Sequence, residues 1–244
     1  MLCHKLKFIF VHIPKTGGQS LENVFLQLIG LDWEKRAPFL MRPNDDPDLG
    51  PSRLAHLTAS EYLSCGHISL KAFNKYFKFT FVRNPWDKLV SEYKFHGYAS
   101  KISFKEFLFE NFPEPGFSDK YRHVLPQYEF IFDDSGNQLV NFIGKFEKLQ
   151  IDFNHICNEL GIHELSLPHI NNSLKIHYIP RNVNDIKHYF KILFRYKAFK
   201  TYKRNTFANY IEYYDNESKR FVEEYYCKDI EAFQYKFDPN SEVH

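Results

Sequence analysis

The chain predicts an α/β fold with a central, mainly parallel β-sheet flanked by helices, and three observations carry that expectation. Two short apolar runs, residues 7–12 (KFIFVH) and 77–82 (FKFTFV), read as buried strands. Each runs directly into a helix-start signal, which is how a βα unit begins. The 244 residues suit a single domain, 1–244, that buries a substantial core without staples.

The first strand stops at Pro14. A helix fits Gly17 to Leu31, because Leu21, Val24, Phe25, Leu28 and Ile29 fall on one face at helical spacing. Residues 32–60 hold Pro38, Pro43, Pro47 and Pro51 and keep no period, so an irregular insertion is expected there. After the second strand, Asn84 is an N-cap, Pro85 suits the first helical position, and Leu89, Val90 and Tyr93 give an apolar face. Ser103 and Glu106 have capping-box spacing. Residues 139–146 read as a helix end and a short strand. Asp152 starts a helix that Gly161 closes. Residues 181–212 are basic and aromatic and are expected to form a helical insertion. Residues 215–226 make a last helix, with Phe233 to Phe237 docking the C-terminus.

Composition excludes several classes. The 32 Lys and Arg nearly balance the 30 Asp and Glu, which argues against a dedicated nucleic-acid binder. A local phosphate pocket needs only a few cations and stays open. Cys3, Cys65, Cys157 and Cys227 form no CxxC pair, so no metal site is expected and reduced thiols are. No apolar run approaches the ~18 residues of a membrane span, and a soluble, cytoplasmic protein is expected.

Two segments carry chemistry. In His12-Ile13-Pro14-Lys15-Thr16-Gly17-Gly18-Gln19-Ser20 a strand meets a sharp turn and a helix start. Glycines let backbone curl around an anion, and a helix N-terminus aims unpaired N–H groups at it. Lys15 adds charge; Thr16 and Ser20 add hydroxyls. The lysine precedes the glycines, unlike a Walker A loop. A plain glycine-rich turn is the alternative. In Arg83-Asn84-Pro85-Trp86-Asp87-Lys88-Leu89-Val90-Ser91, Arg83 sits at a strand's carboxyl end, where open α/β sheets bind ligands. An arginine fork plus the Ser91 hydroxyl suits a terminal phosphate; a surface ion pair and a neutral helix residue are the alternatives.

Both segments resemble the nucleotide-binding signatures of sulfotransferases that use 3′-phosphoadenosine 5′-phosphosulfate (PAPS). The likeness is closest to the carbohydrate branch with heparan sulfate 2-O-sulfotransferases and small bacterial relatives. Pro126-Gln127-Tyr128, Phe142 to Glu147, Leu167 to Asn171 and Asp229-Ile230-Glu231 add to it; the stretch 181–212 departs from it. The resemblance implies a P-loop-like sheet with PAPS across the strand ends and no metal. Lys15, Thr16, Gly17, Gly18, Gln19 and Ser20 would hold the 5′-phosphosulfate; Arg83 and Ser91 would hold the 3′-phosphate. A Gly-His pair, here Gly66-His67, would supply the base, and Lys15 would assist catalysis. From the residues alone a packed histidine stays open for His67, and His12 is a competitor.

The implied activity is sulfuryl transfer to a carbohydrate hydroxyl. The acceptor is an anionic or a lipid-linked glycan. For the basic residues 187–204, contact with an anionic sugar, contact with a membrane surface and a solvated helix all stay open. An ATP-dependent phosphotransferase and a non-catalytic nucleotide- or glycan-binding module are the rival functions.

Overall fold

A computed structural model describes residues 1–163, 165–167 and 207–238. Residues 187–204 lie outside the described residues, as do 168–171 of the familial segment and 181–206 of the expected basic insertion. In the described remainder of that insertion, Tyr210–Tyr213 forms a 3-10 turn.

Among the described residues, four strands make one sheet in the order β1 (Leu2–Cys3), β2 (Phe8–Val11), β3 (Phe77–Val82) and β4 (Phe142–Lys145). β1 is antiparallel to β2, and the other two pairings are parallel. The sheet is therefore mainly parallel. The short β1, which no sequence signal marked, covers the edge of β2.

The helices are α1 (Gly18–Leu28), α2 (Glu61–Ser64), α3 (Leu70–Lys75), α4 (Pro85–Phe95), α5 (Phe104–Glu110), α6 (Asp119–Val124), α7 (Gln127–Ile131), α8 (Leu149–Glu159), α9 (Asn216–Tyr225) and α10 (Cys227–Phe233). Two capping signals act as the sequence predicts; Asp152 does not, since α8 already begins at Leu149 and the Asp152 carboxylate accepts from the Lys145 amide. Asn84 accepts from the Trp86 and Asp87 amides, and Ser103 with Glu106 closes a reciprocal box. The expected last helix at 215–226 is followed by one more, α10. Residues 32–60 form 3-10 turns at Trp33–Lys35, Ala37–Phe39, Pro47–Leu49 and Leu54–His56.

Strand alternation splits the core. Phe8 and Phe10 face one side, with Phe79, Phe81, the α1 residues Leu21 and Phe25, and the α8 residues Phe153 and Ile156. Ile9 and Val11 face the other, with Val82, Phe130 and Ile131. Each fully buried ring contributes roughly 1.5–3 kcal/mol by leaving water. A third cluster joins α4, α5 and α9 through Trp86, Leu89, Tyr93, Phe104, Phe107 and Val222. Because β2 and β3 are parallel neighbours, their carboxyl ends, and the two loops that follow, open on the same edge of the sheet.

Candidate functional site

The loop after β2 is built to leave its helix start open. Lys15 and Gly17 take left-handed backbone, at φ +70° and +85°. Gly17 is the residue before α1, and no side chain caps that helix. A Cβ on Gly18 would meet the His12 imidazole at 2.2 Å, so only glycine lets the backbone lie against that ring. Lys15, Gly17, Gly18 and Gln19 line a cavity of about 510 Å³, inside the roughly 300–1,000 Å³ usual for small-ligand sites.

The hydroxyls expected to join this cradle are placed differently. Thr16 is fully buried, and its Oγ1 donates to the Ile13 carbonyl at 2.8 Å, so the side chain closes the turn from inside. Ser20 is buried beneath the loop. The Lys15 ammonium rests 3.7 Å above the Phe95 ring. Burial lowers its pKa to about 8, with Glu92 opposing the fall and Arg83 and Lys88 adding to it.

The loop after β3 touches the first. Arg83 Nη1 donates to the Lys15 carbonyl at 2.9 Å. Its Nε and Nη2 reach Asp87 Oδ2 at 2.8 and 2.7 Å, and the guanidinium stacks 4.1 Å from the Phe146 ring. Three of the five guanidinium N–H groups are thus engaged among the described residues, and Arg83 touches the Lys15 loop without itself lining the cavity. Ser91 sits further along α4 and does not line the cavity.

Three sequence segments converge on Arg83 and Asn84. The Gln127 side chain accepts from the Arg83 amide and donates to the Arg83 carbonyl, both at 2.8 Å, as a neighbouring strand would. Buried Asp229 accepts from the Gln127 amide and side chain and from the Tyr128 amide. Glu147 accepts from the Asn84 amide at 2.8 Å.

His67, the histidine of the Gly-His pair, lies elsewhere. Gly66, at φ +73°, ends the short helix α2, and the His67 amide folds back to the Tyr62 carbonyl. The His67 ring donates from Nε2 to the Leu49 carbonyl at 2.8 Å, so that nitrogen carries a proton and cannot accept one. His67 does not line the cavity.

Other histidines do. His12, His56 and His123 step across the cavity wall, with ring centroids 5.2 and 5.1 Å apart. Each sets Nδ1 on its own carboxylate: His12 on Glu22 (2.8 Å), His56 on Asp119 (2.8 Å) and His123 on Glu92 (2.7 Å). His96 Nε2 lies 2.8 Å from the other Glu92 oxygen. Burial pushes His56 down to about 4 against its bond to Asp119, and His12 and His123 reinforce the fall. Burial alone would raise Glu92 and Asp119; their histidine partners outweigh it and bring both to about 2. The His56, Asp119 and His123 ligand atoms lie within 4.8 Å of one another, as do those of Glu92, His96 and His123. The His56–Asp119 and His123–Glu92 spacings, 2.8 and 2.7 Å, are those of hydrogen bonds. Tetrahedral zinc, with Zn–N of about 2.0–2.1 Å, would hold them roughly 3.3 Å apart.

His12 is in view from the sequence as a competitor; His56 and His123 escape it because each pairs with a carboxylate distant in the chain. Two local clues existed: Asp119 and His123, and Glu92 and His96, are each four apart on one helix face.

The far wall comes from the 32–60 segment. Arg36, Arg42 and Arg53 line it, with Trp33 under the Arg36 guanidinium. No described helix is long and apolar enough to cross a membrane.

A family model described as Sulfotransferase family matches residues 1–236. A protein of Archaeoglobus fulgidus, described as an uncharacterized protein, is 32% identical over 101 residues, which span 40% of this chain and 78% of that protein. No solved structure matches.

Proposed function

The chain belongs to the sulfotransferase family, and from that premise we propose that it transfers a sulfuryl group from PAPS to a carbohydrate hydroxyl, with His56 as the base. The observation that carries this reading is the contact between the two strand-end loops, Arg83 Nη1 on the Lys15 carbonyl, beside a cavity that also holds the His56–Asp119 pair. One extended anion laid along that edge would meet the uncapped start of α1 and the Arg83 guanidinium beside it. The glycine cradle beside His12 fits a phosphosulfate, because no side chain caps the α1 amides.

PAPS, when bound, supplies the activated sulfuryl group. Gly17, Gly18 and Gln19 direct backbone N–H groups at its 5′ end, and Arg83 meets the 3′-phosphate. Asp119 accepts the His56 Nδ1 proton and so presents Nε2 as the acceptor. His56 Nε2 takes the hydroxyl proton as the acceptor oxygen bonds to sulfur. The bond from sulfur to the 5′-phosphate oxygen breaks, and its electron pair stays with 3′,5′-diphosphoadenosine. Lys15 and the α1 amides stabilise the charge growing on that oxygen. The base role passes from His67 to His56 because His56 lines the cavity and His67 does not.

Arg36, Arg42 and Arg53 favour an acceptor that carries carboxylate or sulfate, with Trp33 as a stacking face. Labelled PAPS incubated with uronic-acid polymers, neutral glycans and glycolipids tests the reading. Label should move to a glycan, and His56→Asn should cut turnover by about 10²–10⁴-fold while diphosphoadenosine affinity holds. Transfer at the wild-type rate by His56→Asn would remove His56 as the base. No transfer to any glycan would remove the acceptor class.

A further inference from the structure

We infer that Gln127 and Asp229 are positioning residues for the donor site, holding the Arg83 backbone so that its guanidinium meets the 3′-phosphate. This rests on the donor reading above and extends it to residues that touch no ligand.

Arg83 leaves β3 at the last position where the sheet could hold it. β4 pairs with β3 as far as Val82, so the sheet ladder ends one residue short of Arg83. A backbone released there would let the guanidinium swing. The Gln127 amide replaces the missing strand, since it engages both the N–H and the C=O of Arg83. A side chain in that role must itself be fixed. Gln127 is fully buried, and its own amide and Nε2 both donate to Asp229 Oδ2, at 2.8 and 3.2 Å. Asp229 Oδ1 takes the Tyr128 amide at 2.8 Å. The carboxylate is fully buried on α10, about a hundred residues from its partners.

Core filling alone does not explain the arrangement. A buried ionised carboxylate is costly unless its lone pairs are met, and apolar groups of the same shape would fill the space without that cost. Here every described bond of Asp229 goes to the α7 start, and the Gln127 side chain goes on to a single residue, Arg83. The opposite face of that residue carries the guanidinium held by Asp87, Phe146 and the Lys15 carbonyl. Asp229, Gln127, Arg83 and the Lys15 loop thus form one continuous strut from the C-terminal helix to the donor edge.

The test is calorimetric titration of the full chain with 3′,5′-diphosphoadenosine and with adenosine 5′-phosphate, in wild type, Asp229→Asn, Gln127→Met and Tyr226→Phe. Tyr226→Phe removes a buried bond to the Val124 carbonyl away from Arg83 and controls for lost stability. Wild type should prefer the doubly phosphorylated nucleotide; if it does not, the donor reading fails first. Given that preference, Asp229→Asn and Gln127→Met should shrink it by about tenfold or more, the size of a lost charge-directed hydrogen bond. Tyr226→Phe should leave it intact even where melting temperature falls. A preference unchanged in both strut variants, or lost equally in Tyr226→Phe, overturns the inference. If Asp229→Asn does not fold, Gln127→Met alone decides.

Discussion

The two strand-to-helix junctions sit side by side on parallel strands and solve the same problem in opposite ways. After β2, the helix start is left bare: Gly17 is left-handed, no side chain caps α1, and Gly18 lies flat against His12. After β3, the helix start is closed: Asn84 caps two amides, Pro85 removes a donor, and Lys88 N reaches the Asn84 carbonyl. A bare start offers backbone N–H groups to an anion, whereas a closed one offers only side chains, here Arg83. The first junction can therefore meet an anion with backbone N–H groups, and the second with a side chain alone.

Lys15→Ala is the harshest way to break that distinction. If the open junction serves the transition state, turnover should fall by about 10²–10³-fold beyond any loss of donor affinity. A defect confined to affinity would make the junctions equivalent.

Ionisation sharpens the contrast next. His56 must be neutral, which holds above about pH 4, and Lys15 must be charged, which holds below about pH 8. kcat/KM should rise through the first value and fall through the second, because it reports the free enzyme's groups. Lys15→Arg should abolish the alkaline fall, since guanidinium stays protonated. A profile whose alkaline limb survives in Lys15→Arg would assign that limb to another group.

The mildest test compares the junctions' own backbones. Gly18→Ala drives a methyl into His12 and should weaken diphosphoadenosine by about tenfold or more while the fold persists. Asn84→Ala should mainly lower stability, by about 0.5–2 kcal/mol, through the lost cap. Equal effects on donor affinity would mean that the cap, too, is part of the ligand site.

Both junctions were legible in the sequence because their signals are contiguous: strand, breaker, cap and apolar face follow one another within a dozen residues. The facing histidines were not. His56 meets Asp119 63 residues away and His123 meets Glu92 31 away, and only the folded sheet edge brings them together. The Gly66-His67 pair lies away from the cavity for a local reason, since its glycine ends α2 and its imidazole bonds the Leu49 carbonyl. Thr16 is placed by the same kind of local bond: a hydroxyl beside a glycine turn can face a ligand or its own backbone, and here it faces Ile13. The familial segments around Gln127, Glu147 and Asp229 were visible as pieces, but their convergence on Arg83 and Asn84 is tertiary.

The most direct measurement of whether one donor spans both junctions is the affinity of wild type and Arg83→Ala for adenosine carrying the 5′-phosphate, the 3′-phosphate or both. Wild type should bind the doubly phosphorylated form at least about tenfold more tightly than either single form, and Arg83→Ala should erase only the 3′ contribution. Equal affinity for the 5′-phosphate and the doubly phosphorylated nucleotide in wild type would contradict the shared grip.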